Sequence, residues 1–414
     1  MNDSEQSPIV SKSYLMFLVL VMGLVSSMDT WLSMIETKAI PNILDEWWPA
    51  IADEVARSEF ATLQGIFGII VFGVFFIGWY ADAYGRRKGM MLLILIMGVP
   101  ALMIVFLTAD LYVFLLIYSI MIMGTTSNLW EIPISEEAPA KSRGMYGSAA
   151  FLIGVIPLWA ILGPTIIDSY GWRMGYGVMF AMMVVLFILL YFIKDPQRWT
   201  NTVEARDKKR LGIMEALRKL RPEDRKYIVI ATLVYLTWTI SFKMATTFGG
   251  EFFTGPLGLT DAEFNSILTI GGLLLPVSAL VSGIMLDKIG RTIVLILGSL
   301  GSVICYIGLG MTGMPTFYWG MYFFMSMVLT WIYVYLAEIF PTEVRATSVG
   351  VCVTGARLGY VVGPLLSGVL LAMFADMAGF WIVGGLLMLI PLIALAAKPL
   401  ETKGKTLEEI EAKR

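Results

Sequence analysis

The stretch "GWYADAYGRRKG" (residues 78–89) sets one acid and three cations in a short, glycine-flanked turn between two long apolar runs. Nearly the same string, "GIMLDKIGRTIV" (residues 283–294), returns later in the chain. The two align without gaps at an offset of 205, pairing Gly78 with Gly283, Asp82 with Asp287, Gly85 with Gly290 and Arg86 with Arg291. A second pair follows: "SEEAPAKSRG" (135–144) matches "AEIFPTEVRA" (337–346) at an offset of 202, setting Glu136 against Glu338, Pro139 against Pro341 and Arg143 against Arg345. Gly163-Pro164 and Gly363-Pro364 form a third, at 200. Three ordered matches at nearly constant offset describe a duplication. The expected organisation is a first half over 1–194, a charged linker over 195–226 and a second half over 227–414.

The chain of 414 residues is 57% hydrophobic and only 15% charged, with a mean hydropathy of +0.77. A soluble globule carries about 25% charged residues. The apolar residues fall in blocks of about twenty, the length a helix needs to cross a bilayer. Twelve spans are expected, at roughly 14–35, 61–81, 90–109, 111–134, 144–167, 172–194, 227–250, 262–286, 291–312, 315–337, 346–373 and 376–397. Such continuous runs are not the alternating strands of a membrane barrel, so the fold class is an all-α integral membrane protein of two six-helix halves. The first run carries Asp29 and is too long for a cleaved leader, so it reads as a retained span. Cys305 and Cys352 both fall inside spans, which argues against a disulfide framework.

The cations orient the chain. Lys38, Arg57 and Arg173 fall on one side, and Lys243 and Arg357 lie within spans. The remaining twenty-five of the thirty Lys and Arg lie on the other side, which the positive-inside rule makes cytoplasmic. Both termini are then cytoplasmic, in a multi-pass protein of the cell membrane. The linker string "ARDKKRLGIMEALRKLRPEDRK" reads as short amphipathic helices, and Trp47 and Trp48 as interfacial anchors.

Parallel six-span halves are a transporter architecture, and the 78–89 string resembles the loop signature of the major facilitator superfamily. The resemblance implies a latch that stabilises the conformation closed on the inside, built here from Gly78, Asp82, Gly85, Arg86, Glu136, Arg143, Asp287, Arg291, Glu338 and Arg345. The acid is suited to a helix N-terminus, where the macrodipole favours anions. A purely topogenic turn accounts equally well for Arg87 and Lys88. Within the superfamily, "KDPQRW" (194–199), "AEIFPTEVRATSVGV" (337–351) and "PLETKGKTLEEI" (399–410) resemble sugar porters and their relatives, the organic-anion and organic-cation transporters and aromatic-acid:proton symporters. Two departures weigh against a sugar. Span seven reads "YLTWTISFKMATTFGGEFF" where sugar porters carry a QQxSG-like string. Span eleven reads "GARLGYVVGPLLSG", closer to the organic-anion and aromatic-acid branches. "SSMDT" (26–30) is similar to an element of the aromatic-acid symporters.

Ionisable groups inside a bilayer are functional candidates by default. Asp29 and Lys243 sit at about the same depth, roughly 22–24 Å from the start of spans one and seven, and are expected to face one another. A static ion pair or a snorkelling Lys243 fits the same positions. Arg357, near the middle of span eleven, offers a guanidinium fork matched to a carboxylate; pairing with Glu131 is its structural alternative. The chain has no histidine, so a carboxylate must carry any transported proton, Asp29 first and Glu131 second. Trp130, Trp238, Trp331, Tyr235 and Tyr333 are candidates for contact with an apolar cargo, with helix packing as the commoner role. Pro157, Pro164, Pro276 and Pro364, with Gly271-Gly272, mark possible helix bends.

The expected function is alternating-access secondary transport, as proton-coupled symport of a small organic anion. The expected partners are a small-molecule substrate, protons and the lipid bilayer, with no nucleic acid and no cofactor, and the chain is expected to act as a monomer. A sugar, polyol, organic-cation or drug transporter is the rival of the same fold, and a non-transporting membrane sensor the rival of another class. No phosphate-binding loop or His/Cys metal pattern points to an enzyme.

Overall fold

A computed structural model describes residues 10–49, 66–125, 129–156, 158–205, 222–254, 256–374 and 377–413, with isolated positions 60, 63, 215 and 218. Arg57, Pro157 and most of the linker string fall outside the described residues, as do the side chains of Lys38, Pro164 and Pro364. In chain order the helices are α1 (Lys12–Trp47), α2 (Val74–Tyr84, entered through a 3-10 stretch at Gly68–Gly73), α3 (Arg86–Leu107), α4 (Leu111–Gly124), α5 (Glu131–Glu137), α6 (Arg143–Gly154), α7 (Leu158–Tyr170), α8 (Trp172–Tyr191) and α9 (Gln197–Ala205). The second half holds α10 (Pro222–Thr254), α11 (Asp261–Ile289), α12 (Arg291–Thr312), α13 (Pro315–Ile339), α14 (Arg345–Ala356), α15 (Gly359–Met373), α16 (Ala378–Leu387), α17 (Ile390–Ala394) and α18 (Leu407–Lys413).

Among the described residues, eight stretches are long and apolar enough to cross a membrane: α1, α3, α8, α10, α11, α12, α13 and the run from Ala378 to Ala397, which comprises α16, α17 and a closing 3-10 turn. The other four expected spans are divided. Span two changes from 3-10 to α at Val74, span four is α4 then α5, span five is α6 then α7, and span eleven is α14 then α15. Spans five and eleven are equivalents in the two halves, so their breaks repeat as well. Discontinuous helices near the middle of the bilayer free backbone carbonyls for a site, as in many transporters.

Burial separates the helices by place. The most apolar window of α13 is 83% buried, whereas that of α8 is 33% buried. Phe106 on α3, Ile188 on α8 and Ile304 on α12 turn outward, as residues facing hydrocarbon do. The inward face of α1 (Leu18, Met22, Val25, Leu32) is fully covered by α6 and α8.

The halves meet on the Lys/Arg-rich face, where α2 packs on α14, α11 on α6, and α13 on α5 and α6. Two glycine pairs make this possible. Gly85 and Gly290 adopt φ of 118° and 106°, conformations that only glycine takes without strain. They turn the chain sharply into α3 and α12. A Cβ at Gly78 would stand 2.1 Å from the Ala346 carbonyl oxygen, and one at Gly283 2.3 Å from the Ser148 side chain. The helices of opposite halves therefore touch backbone to backbone.

Candidate transport site and gate

The repeated motifs assemble into two buried charge clusters on the basic face, each spanning both halves. In the first, Asp82 at the end of α2 accepts hydrogen bonds from the first turn of α14: the Ala346 N–H at 3.2 Å, the Thr347 N–H at 2.7 Å and the Thr347 hydroxyl at 2.6 Å. An acid there meets the positive end of the helix dipole and its unpaired N–H groups. Arg86 pairs with Asp82 and grips Glu136 with Nε at 3.2 Å and Nη2 at 2.9 Å, while Nη2 also reaches the Thr342 carbonyl at 2.8 Å. Arg345, from the other half, donates to the same Glu136 at 2.6 Å and to the Phe340 carbonyl at 3.1 Å. Burial opposes the charge of Glu136, but Arg86 and Arg345 outweigh it and hold the carboxyl below the usual carboxylate range.

The second cluster repeats the plan with the halves exchanged. Asp287 accepts the Gly144 N–H at 3.0 Å and the Met145 N–H at 2.8 Å, at the start of α6. Arg291 donates to Glu338 at 3.1 and 2.6 Å, to the Leu286 carbonyl at 2.8 Å and to Asp287 at 3.3 Å. Arg143 stands farther off, 3.4 Å from Glu338, and burial pushes it down to about 10 against the opposing charge of Glu338.

Two further acids belong to these clusters. Asp195 accepts the Arg87 N–H at 2.8 Å, and Glu401 accepts the N–H groups of Arg291 and Thr292, both at 2.9 Å. They cap α3 and α12 as equivalents in the two halves, 206 residues apart. The tail strengthens the second cluster: the Thr402 hydroxyl donates to Glu338 at 2.6 Å. It also reaches the linker, where Arg198 pairs with Glu408 at 2.8 Å and donates to the Glu136 carbonyl. The sequence strings around 195 and 401 resemble family elements, but the capping role of their acids emerges only from the fold.

Nearer mid-membrane a second polar group forms. Arg357 lies at the α14–α15 break and is only 4% exposed. Its Nη2 donates to the carbonyl of Thr125, the C-cap of α4, and lies 3.3 Å from the Thr125 hydroxyl. A cation is favoured at that helix C-terminus. The guanidinium also lies over the Tyr360 ring, 5.1 Å from its centroid, and the Lys243 ammonium lies over the same ring at 5.0 Å. Both are within cation–π range. Tyr235 and Tyr333 share a side-chain hydrogen bond, and the Asp29 charge acts on both hydroxyls. Arg357 acts on Tyr235 as well. Trp130 and Phe151 each meet the Tyr333 ring edge-on at 5.1 Å.

The structure thus gathers Asp29, Arg357, Lys243, Tyr235, Tyr333 and Trp130 in one neighbourhood, with three departures from expectation. Lys243 rests on Tyr360 and makes no ion pair with Asp29, because equal depth on two helices does not fix the direction in which each side chain turns. Trp331 stacks on Tyr335 at 4.5 Å, and the Tyr335 hydroxyl donates to the Leu400 carbonyl, so Trp331 packs toward the C-terminal tail. Trp238 is held by packing: it donates to the Met325 carbonyl at 2.8 Å and stacks on Phe242 at 4.8 Å. Arg357 does not pair with Glu131, whose carboxyl oxygens are both buried without a hydrogen-bond partner among the described residues.

Against this geometry, the family model for the Major Facilitator Superfamily matches residues 19–333 and 231–413. The chain belongs to the Major Facilitator Superfamily. Its twelve membrane spans in two pseudo-twofold halves are that fold, and it is a multi-pass membrane transporter, not an enzyme. The glucose transporter GlcP of Staphylococcus epidermidis is 26% identical over 378 residues, covering 81% of this chain and 83% of the relative. The cis,cis-muconate transport protein of Acinetobacter baylyi is 21% identical over 337 residues, covering 77% and 79%. Among solved structures, the proton:xylose symporter XylE superposes with a TM-score of 0.79 at 20% identity, over 97% of this chain and 99% of that one.

Proposed function

We propose that this superfamily member is a proton-coupled symporter of a small organic anion. It works as a monomer in the cell membrane, with the basic face and both termini cytoplasmic. In this reading residues 1–194 and 227–414 are the two moving bodies and 195–226 their linker. The observation that carries it is the pair of mid-membrane cations on Tyr360. Among the described residues neither Lys243 nor Arg357 makes an ion pair, and Arg357 Nε is buried without an acceptor. Unneutralised positive charge inside a bilayer is costly, and a cargo carboxylate offsets that cost while completing the guanidinium fork. Tyr235, Tyr333 and Trp130 line the apolar and hydroxyl-bearing side of the cargo, and Asp29 takes up the proton. The two clusters of Asp82, Arg86, Glu136 and Arg345 and of Asp287, Arg291, Glu338 and Arg143 close the cytoplasmic gate.

Uptake into proteoliposomes tests this reading. With an inward proton gradient, muconate or benzoate should accumulate, and Arg357→Gln should remove that accumulation. Asp29→Asn should lose gradient-driven accumulation while retaining exchange. The tyrosine hydroxyls, together with the glucose and xylose transporters among the similar proteins, favour a sugar as the second reading. Accumulation of glucose or xylose in place of either acid would establish it.

A further inference from the structure

Glu131 is a buried acid at the start of α5, 1% exposed, and it is fully enclosed when the gate is shut. Neither carboxyl oxygen meets a donor among the described residues. The group lies directly on α6, so close that a Cβ at Gly147 would stand 2.0 Å from Oε1. Of the elements packed on α5, helices α1, α6, α9 and α13 bring ionisable groups. Asp29 on α1 acts on Tyr235 and Tyr333. Arg143 on α6 is turned to Glu338 and the Lys405 carbonyl, and Arg198 on α9 to Glu408 and the Glu136 carbonyl. On its own helix, Glu136 is bound by Arg86 and Arg345, and Glu137 accepts the Gln197 N–H. The charge that acts on Glu131 is that of Glu338, from the opposite half.

An ionised carboxylate enclosed without donors carries a large desolvation cost, and a like charge across the seam adds repulsion. Both penalties vanish when the carboxyl is neutral or when the seam opens and water enters. We propose that Glu131 is a proton-operated bolt of the cytoplasmic gate. It binds a proton from cytoplasmic water as the halves close and returns it when they part, so that an acidic cytoplasm holds the gate shut. The role is separate from proton loading at Asp29 and rests on the alternating-access reading above, not on the identity of the cargo.

The test is a distance measurement between spin labels at Lys141 and Lys288, exposed positions of opposite halves on this face. The two native cysteines are buried and stay in place. In the full-length protein without cargo, raising the pH from 5 to 9 should convert a short-distance population into a longer one. The ratio should change by up to tenfold per pH unit, the limit for one linked proton. Glu131→Gln should stay in the short-distance population across that range. Glu131→Asp, which retains the acid, should keep a pH response and guards against misfolding of the glutamine variant. A wild-type distance indifferent to pH, or an unchanged response in Glu131→Gln, overturns the proposal. Because no solute is present, failure of the organic-anion reading leaves this outcome intact, and the reverse also holds.

Discussion

The two gate clusters share one sequence plan and differ in how tightly they are built. Glu136 is held by two guanidiniums from opposite halves, at 2.9 and 2.6 Å. Glu338 has one close guanidinium, Arg291 at 2.6 Å, while Arg143 stands at 3.4 Å with Nε and Nη2 lacking acceptors among the described residues. Arg345, the counterpart of Arg143, places its Nε on the Phe340 carbonyl. The second cluster makes up part of the difference with the Thr402 hydroxyl, and it faces the buried Glu131. A duplicated motif therefore does not imply duplicated energetics. The first cluster is the more tightly paired of the two.

The largest effect that probes this contrast is expected from Glu136→Gln. It strands two buried guanidiniums, a class of change that costs about 3–5 kcal/mol, and should lower the thermal midpoint well below that of Glu338→Gln. Equal losses in a melting assay on the purified protein would break the comparison. Next comes Thr402→Val, which removes a hydrogen bond donated by a hydroxyl to a buried carboxylate. A loss of about 1.5–3 kcal/mol from the closed state, read by the same spin-label distance, would show that the tail substitutes for the distant Arg143.

The smallest effect separates the helix caps. Burial raises Asp195 above the usual carboxylate range despite the Arg87 N–H. Burial acts the same way on Glu401, but the N–H groups of Thr292, Arg291 and Lys403 overcome it and hold it below that range. The signs are opposite. The stability contributed by Glu401 is present at neutral pH and is lost as pH falls through its lowered value. Asp195 is charged at a cost to the folded state, so acidification relieves it. Asp195→Asn should therefore cost less at pH 7 than Glu401→Gln, each within about 0.5–2 kcal/mol, and the gap should narrow toward pH 4.

Much of this was legible in the sequence. Continuous apolar runs marked the spans, and constant offsets picked out the residues of both buried charge clusters. The break in span five falls beside Pro157, already marked in the sequence as a bend, whereas those in span four, at the start of GTTSN (124–128), and in span eleven, at Arg357, were missed because hydropathy taken over twenty residues passes over a few polar positions. Thr125 left no trace because it offers Arg357 a backbone carbonyl, an acceptor that nearly every residue carries. Tyr360 left a faint one, three positions beyond Arg357 and hence on the same helical face. The match between Asp195 and Glu401 was within reach, since their separation of 206 lies beside the 205 of the opening strings.

The glycines at 78 and 283 carry a consequence of another kind. With no side chain on either helix at the crossing, the width of the seam is set by missing carbon, and charge can only hold what the empty volume has already allowed to close. One methyl group at Gly78 would be a wedge driven against the Ala346 carbonyl oxygen, 2.1 Å away, straining the seam without altering any ionisable residue.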